Sequence, residues 1–221
     1  MCLKLLLSLI RGDAGDGLRQ RLYARIQPYF PSQRTRAASE SYETPMMPPC
    51  PLTPEVEFHL DKEERRALWA SWNFDFDAMY EIGADIYTDI FRQHPHLPKV
   101  FTYLEDYTVD DGEWKKKKEF RLQALRFVQA LDRCVSFFSI NHSRGQDLDR
   151  FLLELGERHK AFAARGFNAA MLHGVDRSIL TVIRQRIEAQ ELDEATTATA
   201  LEAWRKLSGR IVLKMGEGFE A

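Results

Sequence analysis

Proline is missing from everything after Pro98, a run of 123 residues. Pro breaks helix interiors because it lacks an N–H and clashes with the preceding turn, so its absence leaves that stretch free to be helical. Cysteine is scarce: Cys2, Cys50 and Cys134 are odd in number, widely spaced and contain no CxxC pair. That excludes a disulfide framework and a structural zinc site, and it suits a reducing compartment. Charge of one sign is missing too. A net charge of −2 and a pI near 6.3 give no global basic field, which argues against nucleic acid as a partner. The longest apolar run, Leu5-Leu6-Leu7-Ser8-Leu9-Ile10, is too short to span a bilayer. No Gly-rich phosphate loop and no nucleophile elbow with Ser, His and Asp partners is present. Asp75, Asp77, Asp106, Asp110 and Asp111 lack the spacing of a calcium loop, and Lys115–Lys118 reads as a solvated helix start.

What remains is periodicity. Apolar residues recur at 3–4 spacing from Asp61 onward, and no segment alternates in the manner of a strand, so the expected class is all-α. Asp61 and Glu64 resemble a capping box that opens a helix carrying Leu68, Trp69 and Trp72. A second helix is expected over about 77–93, with Met79, Ile82, Ile86, Tyr87, Ile90 and Phe91 inward, ended by Pro95. Residues 102–114 read as a polar loop. Four more helices are expected: one over about 115–138, one carrying His159 after a loop around 141–146, one over about 169–189 and one over about 193–217. The first 54 residues are of another kind. They hold seven of the nine prolines and seven Lys/Arg against four Asp/Glu. We therefore divide the chain into a basic, Pro-rich extension over 1–57, largely disordered with one short helix near 17–27, and a helical domain over 58–221.

One residue interrupts the apolar pattern. Leu152, Leu155, His159 and Phe162 fall 3, 4 and 3 apart and share a helix face, with an imidazole in its middle. Burying that ring costs free energy unless its nitrogens find partners, and a metal is one of the few available in an apolar pocket. Phe101, Tyr87 and Gln123 stand at spacings that would close a flat apolar pocket over this His.

Together these segments resemble a globin, over about residues 58–219. Ile86-Tyr87-Thr88-Asp89-Ile90-Phe91-Arg92-Gln93-His94-Pro95 is similar to the end of the second globin helix and the Pro that opens the third. Phe101, six residues after Pro95, matches the Phe that globins wedge against haem. Glu119-Phe120-Arg121-Leu122-Gln123-Ala124-Leu125-Arg126-Phe127 resembles the distal helix, notably its nematode and invertebrate neural versions, and Leu155-Gly156-Glu157-Arg158-His159 the proximal-His signature. The resemblance implies a sandwich of helices around one haem b, iron protoporphyrin IX. It makes His159 the axial iron ligand, with the Leu155 carbonyl holding its other nitrogen. Phe101 stacks on the porphyrin in this reading. Gln123 takes the distal position and Tyr87 faces the ligand, both able to donate to the partly negative O₂. Phe127 narrows the pocket behind them, and Arg126 and Arg158 are candidate partners for the haem propionates. The spacing from His159 to Gly166-Phe167 is a few residues longer than the family pattern, which predicts a differently shaped proximal side.

The implied activity is reversible binding of O₂ and other diatomic gases, for storage, supply or sensing, in the cytoplasm. An enzymatic or redox-signalling role (NO dioxygenation, peroxide or nitrite turnover, electron transfer) is the alternative, and it calls for a separate, unknown reductase. The extension admits three readings: an unmodified tail, a short signal peptide without a cleavage site, or a membrane- or protein-contacting tail formed by an acylated Cys2 and Arg11, Arg19, Arg21 and Arg25.

Overall fold

The structure is a computed structural model that describes residues 58–72, 76–104, 112–138 and 143–221. The extension with Cys2, Cys50 and the helix expected near 17–27 lies outside the described residues, as do Asp75, most of the loop after Leu104 and His142. Among the described residues six α-helices follow one another: α1 (Lys62–Ser71), α2 (Phe76–Gln93), α3 (Lys118–Ser136), α4 (Gly145–His159), α5 (Ala170–Glu188) and α6 (Glu194–Glu220). Four 3₁₀ turns (Leu97–Val100, Thr102–Leu104, Glu113–Lys116 and Lys160–Arg165) carry the chain between them. Among the described residues β-structure is limited to an isolated bridge between Phe138 and Ser143.

The helix ends have local causes. Asp61 caps α1 by accepting from the N–H groups of Glu63 and Glu64, both at 2.8 Å, while Glu64 Oε2 accepts from the Asp61 N–H at 3.0 Å. This is the reciprocal box expected from the sequence. Pro95 disfavours helical backbone at the residue before it, and α2 stops at Gln93. Asp193 opens α6 by accepting from Thr196 N–H at 2.9 Å.

The long α6 is the hub, packed against α1, α4 and α5, while α2 packs on α3 and α5. Leu207, Ala203, Trp204, Ile211 and Met215 face the interior from α6. Trp204 meets Trp72 at 5.1 Å between ring centroids, and both indole N–H groups are satisfied, by Ser71 Oγ at 3.1 Å and Asp132 Oδ1 at 2.9 Å. A buried indole without such a partner would lose about 1–3 kcal/mol. Ion pairs tie the helices at their margins: Arg210 to Asp149, Arg186 to Asp85 and Lys206 to Glu64.

Two crossings are close enough to require glycine. At Gly83 on α2 an added Cβ would lie 2.6 Å from the Ala124 carbonyl oxygen of α3. At Gly156 on α4 it would lie 2.1 Å from the Met215 oxygen of α6, and reciprocally at Gly218 it would lie 2.1 Å from the Leu153 oxygen. The first crossing sets α2 against α3, and the second presses the His159 helix onto α6.

Candidate functional site

Gly83 lies one helical turn before Tyr87, and Ala124 follows Gln123, so the α2–α3 crossing determines how those two polar side chains meet. They do meet. The Gln123 amide Nε2 donates to the Tyr87 hydroxyl oxygen at 2.9 Å. Around the Tyr87 ring stand Phe127 at 5.4 Å, Phe91 at 5.6 Å, Phe120 at 5.7 Å and Phe101 at 5.9 Å, mostly edge-on. Edge-to-face aromatic packing of this kind excludes water and fixes the ring that carries the hydroxyl. Burial pushes the Tyr87 phenol up to about 12, against a smaller lowering by the Gln123 bond, so it stays protonated and remains a donor at neutral pH.

Four of the five expected residues, Tyr87, Gln123, Phe101 and Phe127, thus form one polar spot in an aromatic wall. The fifth stands apart. His159 ends α4, and its hydrogen bond and ring contacts run to Leu155, Phe162 and Phe167. Its Nδ1 lies 2.7 Å from the Leu155 carbonyl oxygen. A carbonyl only accepts, so Nδ1 carries the proton and Nε2 presents a lone pair. Burial, followed by the Arg158 charge, lowers the imidazole from its ordinary 6.5, and the Leu155 bond opposes them; the ring is neutral at pH 7. A neutral, oriented imidazole with one free nitrogen is the form that ligates a metal.

The extra residues after His159 have a defined shape. They make the 3₁₀ turn Lys160–Arg165, which ends at Gly166 in the left-handed region with φ 92°. The single face expected from Leu152 through Phe162 therefore breaks at His159. The turn sets Phe162 and Phe167 beside the imidazole at 5.8 and 5.6 Å, and Phe167 is backed by Phe219 of α6. Arg126 and Arg158 are both exposed.

Two aromatic residues escaped the sequence reading because they fall in the stretch taken as a polar loop. Trp114, in the turn before α3, is buried against Phe120 at 4.6 Å and Phe91 at 5.4 Å. Tyr103 packs on Phe101 at 5.8 Å, with its hydroxyl buried. The available signal was composition: three large aromatics (Tyr103, Tyr107 and Trp114) among acidic and small residues, with no period to place them.

Against known proteins, the globin profile matches residues 84–215. The chain belongs to the globin family. Solved globin structures share the fold. A Drosophila melanogaster globin matches with a TM-score of 0.57 at 21% identity, over 72% of this chain and 94% of that one. A structure of cyanide binding and heme cavity transitions in Drosophila melanogaster hexa-coordinate hemoglobin matches with a TM-score of 0.54 at 21% identity, over 69% and 93%. The hemoglobin of the botfly Gasterophilus intestinalis matches with a TM-score of 0.58 at 17% identity, over 73% and all of its chain. No curated protein matches the sequence closely enough to count.

Globin membership implies a haem cofactor, and the residues present fit one. A flat, largely apolar group with a central metal needs one free imidazole nitrogen on one side, aromatic walls, and polar atoms confined to a few points. His159 supplies the first, Phe101, Phe162, Phe167 and Phe127 the second, and Tyr87 with Gln123 the third.

Proposed function

We propose that this globin holds haem b through His159 Nε2 and binds O₂ reversibly, with Tyr87 and Gln123 as hydrogen-bond donors to the gas. When bound, the haem iron supplies the reversible coordination of a diatomic molecule; the remaining work falls to the side chains. The Leu155 carbonyl holds the His159 tautomer and ring plane. The phenylalanines around Tyr87 keep water out, which strengthens any hydrogen bond made among them.

The observation that carries the reading is the direction of the Tyr87–Gln123 bond. The Tyr87 oxygen accepts from Gln123, so its own proton is left for another acceptor. An acceptor with partial negative charge, as O₂ has when electron density flows to it from iron, answers that need. Carbon monoxide carries far less charge on its outer atom. The test is therefore Tyr87→Phe, which deletes the hydroxyl and keeps the ring. Loss of one such bond, about 1–3 kcal/mol, speeds O₂ release roughly 5- to 150-fold while CO release changes far less. Small and equal changes for both gases would overturn the reading.

A further inference from the structure

Tyr103 holds a buried hydroxyl that finds no hydrogen-bond partner among the described residues. Such an orphan lowers stability unless something outside the chain answers it, and an unanswered buried polar group is often a sign of function. Its location narrows the choice. The Tyr103 ring packs against Phe101 at 5.8 Å, and Phe101 stands 5.9 Å from Tyr87. Its backbone is held by Lys117, whose Nζ donates to the Tyr103 carbonyl at 2.8 Å. Desolvation dominates the environment of the hydroxyl and raises its pKa. The Tyr87 phenol raises it further, and the Arg126 charge opposes both. A single ring, Phe101, thus stands between the ring that carries this buried hydroxyl and the ring of Tyr87.

We propose that Tyr103 is a third hydrogen-bond donor to the gas ligand, acting beside Tyr87 and Gln123 and tuning the pocket toward ligands with a partly negative outer atom. This rests on the O₂-binding reading above. It gives the wall of the pocket a role that neither the distal helix nor α2 supplies: the 3₁₀ turn Thr102–Leu104 contributes chemistry as well as closure. The inference also predicts a trade between stability and function, because the hydroxyl costs the gas-free fold and repays only when an acceptor is present.

Tyr103→Phe tests it through three measurements. In the haem-free protein the variant melts no lower than the parent, because no protein hydrogen bond is lost. In the haem-loaded protein O₂ release speeds up roughly three- to tenfold, as for loss of one neutral donor, with a smaller change for CO. Haem transfer to an acceptor protein keeps its rate. A lowered melting point of the haem-free variant would reveal a structural partner and overturn the proposal. So would faster haem loss with unchanged O₂ release, which would assign the hydroxyl to a propionate carboxylate. If Tyr103→Phe leaves O₂ release unaltered while Tyr87→Phe speeds it, Tyr103 is excluded and the pocket reading stands. If neither variant alters it, the pocket reading falls as well.

Discussion

Replacing Gly156 by Ala tests whether the His159 helix is seated by direct backbone contact with α6. The added Cβ would lie 2.1 Å from the Met215 oxygen, where ordinary contact begins at 3.4 Å, a shortfall of about 1.3 Å. The obstacle is backbone at the middle of a buried crossing, so no flexible side chain can swing away; α4 or α6 must move. Overpacking costs about 1–3 kcal/mol, and toward the upper end, about 2–3 kcal/mol, where backbone must move, against a gain of about 1 kcal/mol from the better helix propensity of Ala. The net expectation is a destabilisation of about 1–2 kcal/mol. Gly209 and Gly216, on the same α6, have nothing within 4 Å of an added Cβ, so Ala there stabilises by about 0.5–1 kcal/mol. The difference between test and controls, about 2 kcal/mol or more, corresponds to roughly 5–10 °C in melting temperature for a unit of this size. The shift also reaches the site, because Gly156 lies three residues before His159, about one turn along the same helix. Gly156→Ala therefore weakens haem retention in a titration, and Gly209→Ala does not. Should Gly156→Ala melt with its two controls, the close approach of α4 to α6 is not what positions His159.

The helices were legible because burial along them is periodic. Of the residues expected inward on α2 from 3–4 spacing, Ile82, Ile86, Tyr87, Ile90 and Phe91 are buried and Met79 is half-buried. The candidate site was legible only in part. Tyr87 and Gln123 could be proposed as neighbours from a resemblance, but their hydrogen bond depends on Gly83 letting α2 approach α3, and a glycine in a sequence does not say which backbone it will meet. The same holds for Gly156 and Gly218. Trp114 and Tyr103 were missed for a different reason: short 3₁₀ turns bury residues without a repeat, so a stretch rich in Asp, Glu and Thr hides two aromatics that complete the wall. Phe162 was placed correctly near His159 for an incomplete reason. The helix tightens to 3₁₀ after His159, and that change lets both Phe162 and Phe167 flank the ring.

Three further outcomes are expected. His159→Ala abolishes stable haem uptake, measured by titration of the haem-free protein; full occupancy with an unchanged ferrous spectrum would move the ligand to His142 or to His173, which is exposed on α5. Ferrous protein without added gas is five-coordinate, because the amide of Gln123, engaged with Tyr87, is a poor iron ligand; sharp split bands of a low-spin six-coordinate haem would refute the distal arrangement. The last concerns acid. His159 titrates below its ordinary 6.5 in the folded protein, through burial and then Arg158, so near that pH the native state holds fewer protons than the unfolded chain. Stability therefore rises with pH there: this group's contribution is complete above 6.5 and is lost as the pH falls from 6.5 through its lower folded value. The same proton competes for the Nε2 lone pair, so haem retention weakens over the same window. Melting curves of haem-free protein stepped down from about pH 7.5 to about pH 5, set beside those of His159→Phe, isolate the contribution, since the variant keeps the ring's bulk and has nothing to titrate. Parallel pH profiles for the two proteins would show that His159 is as easily protonated folded as unfolded, and the half-buried, neutral, ligand-ready imidazole would have to be given up.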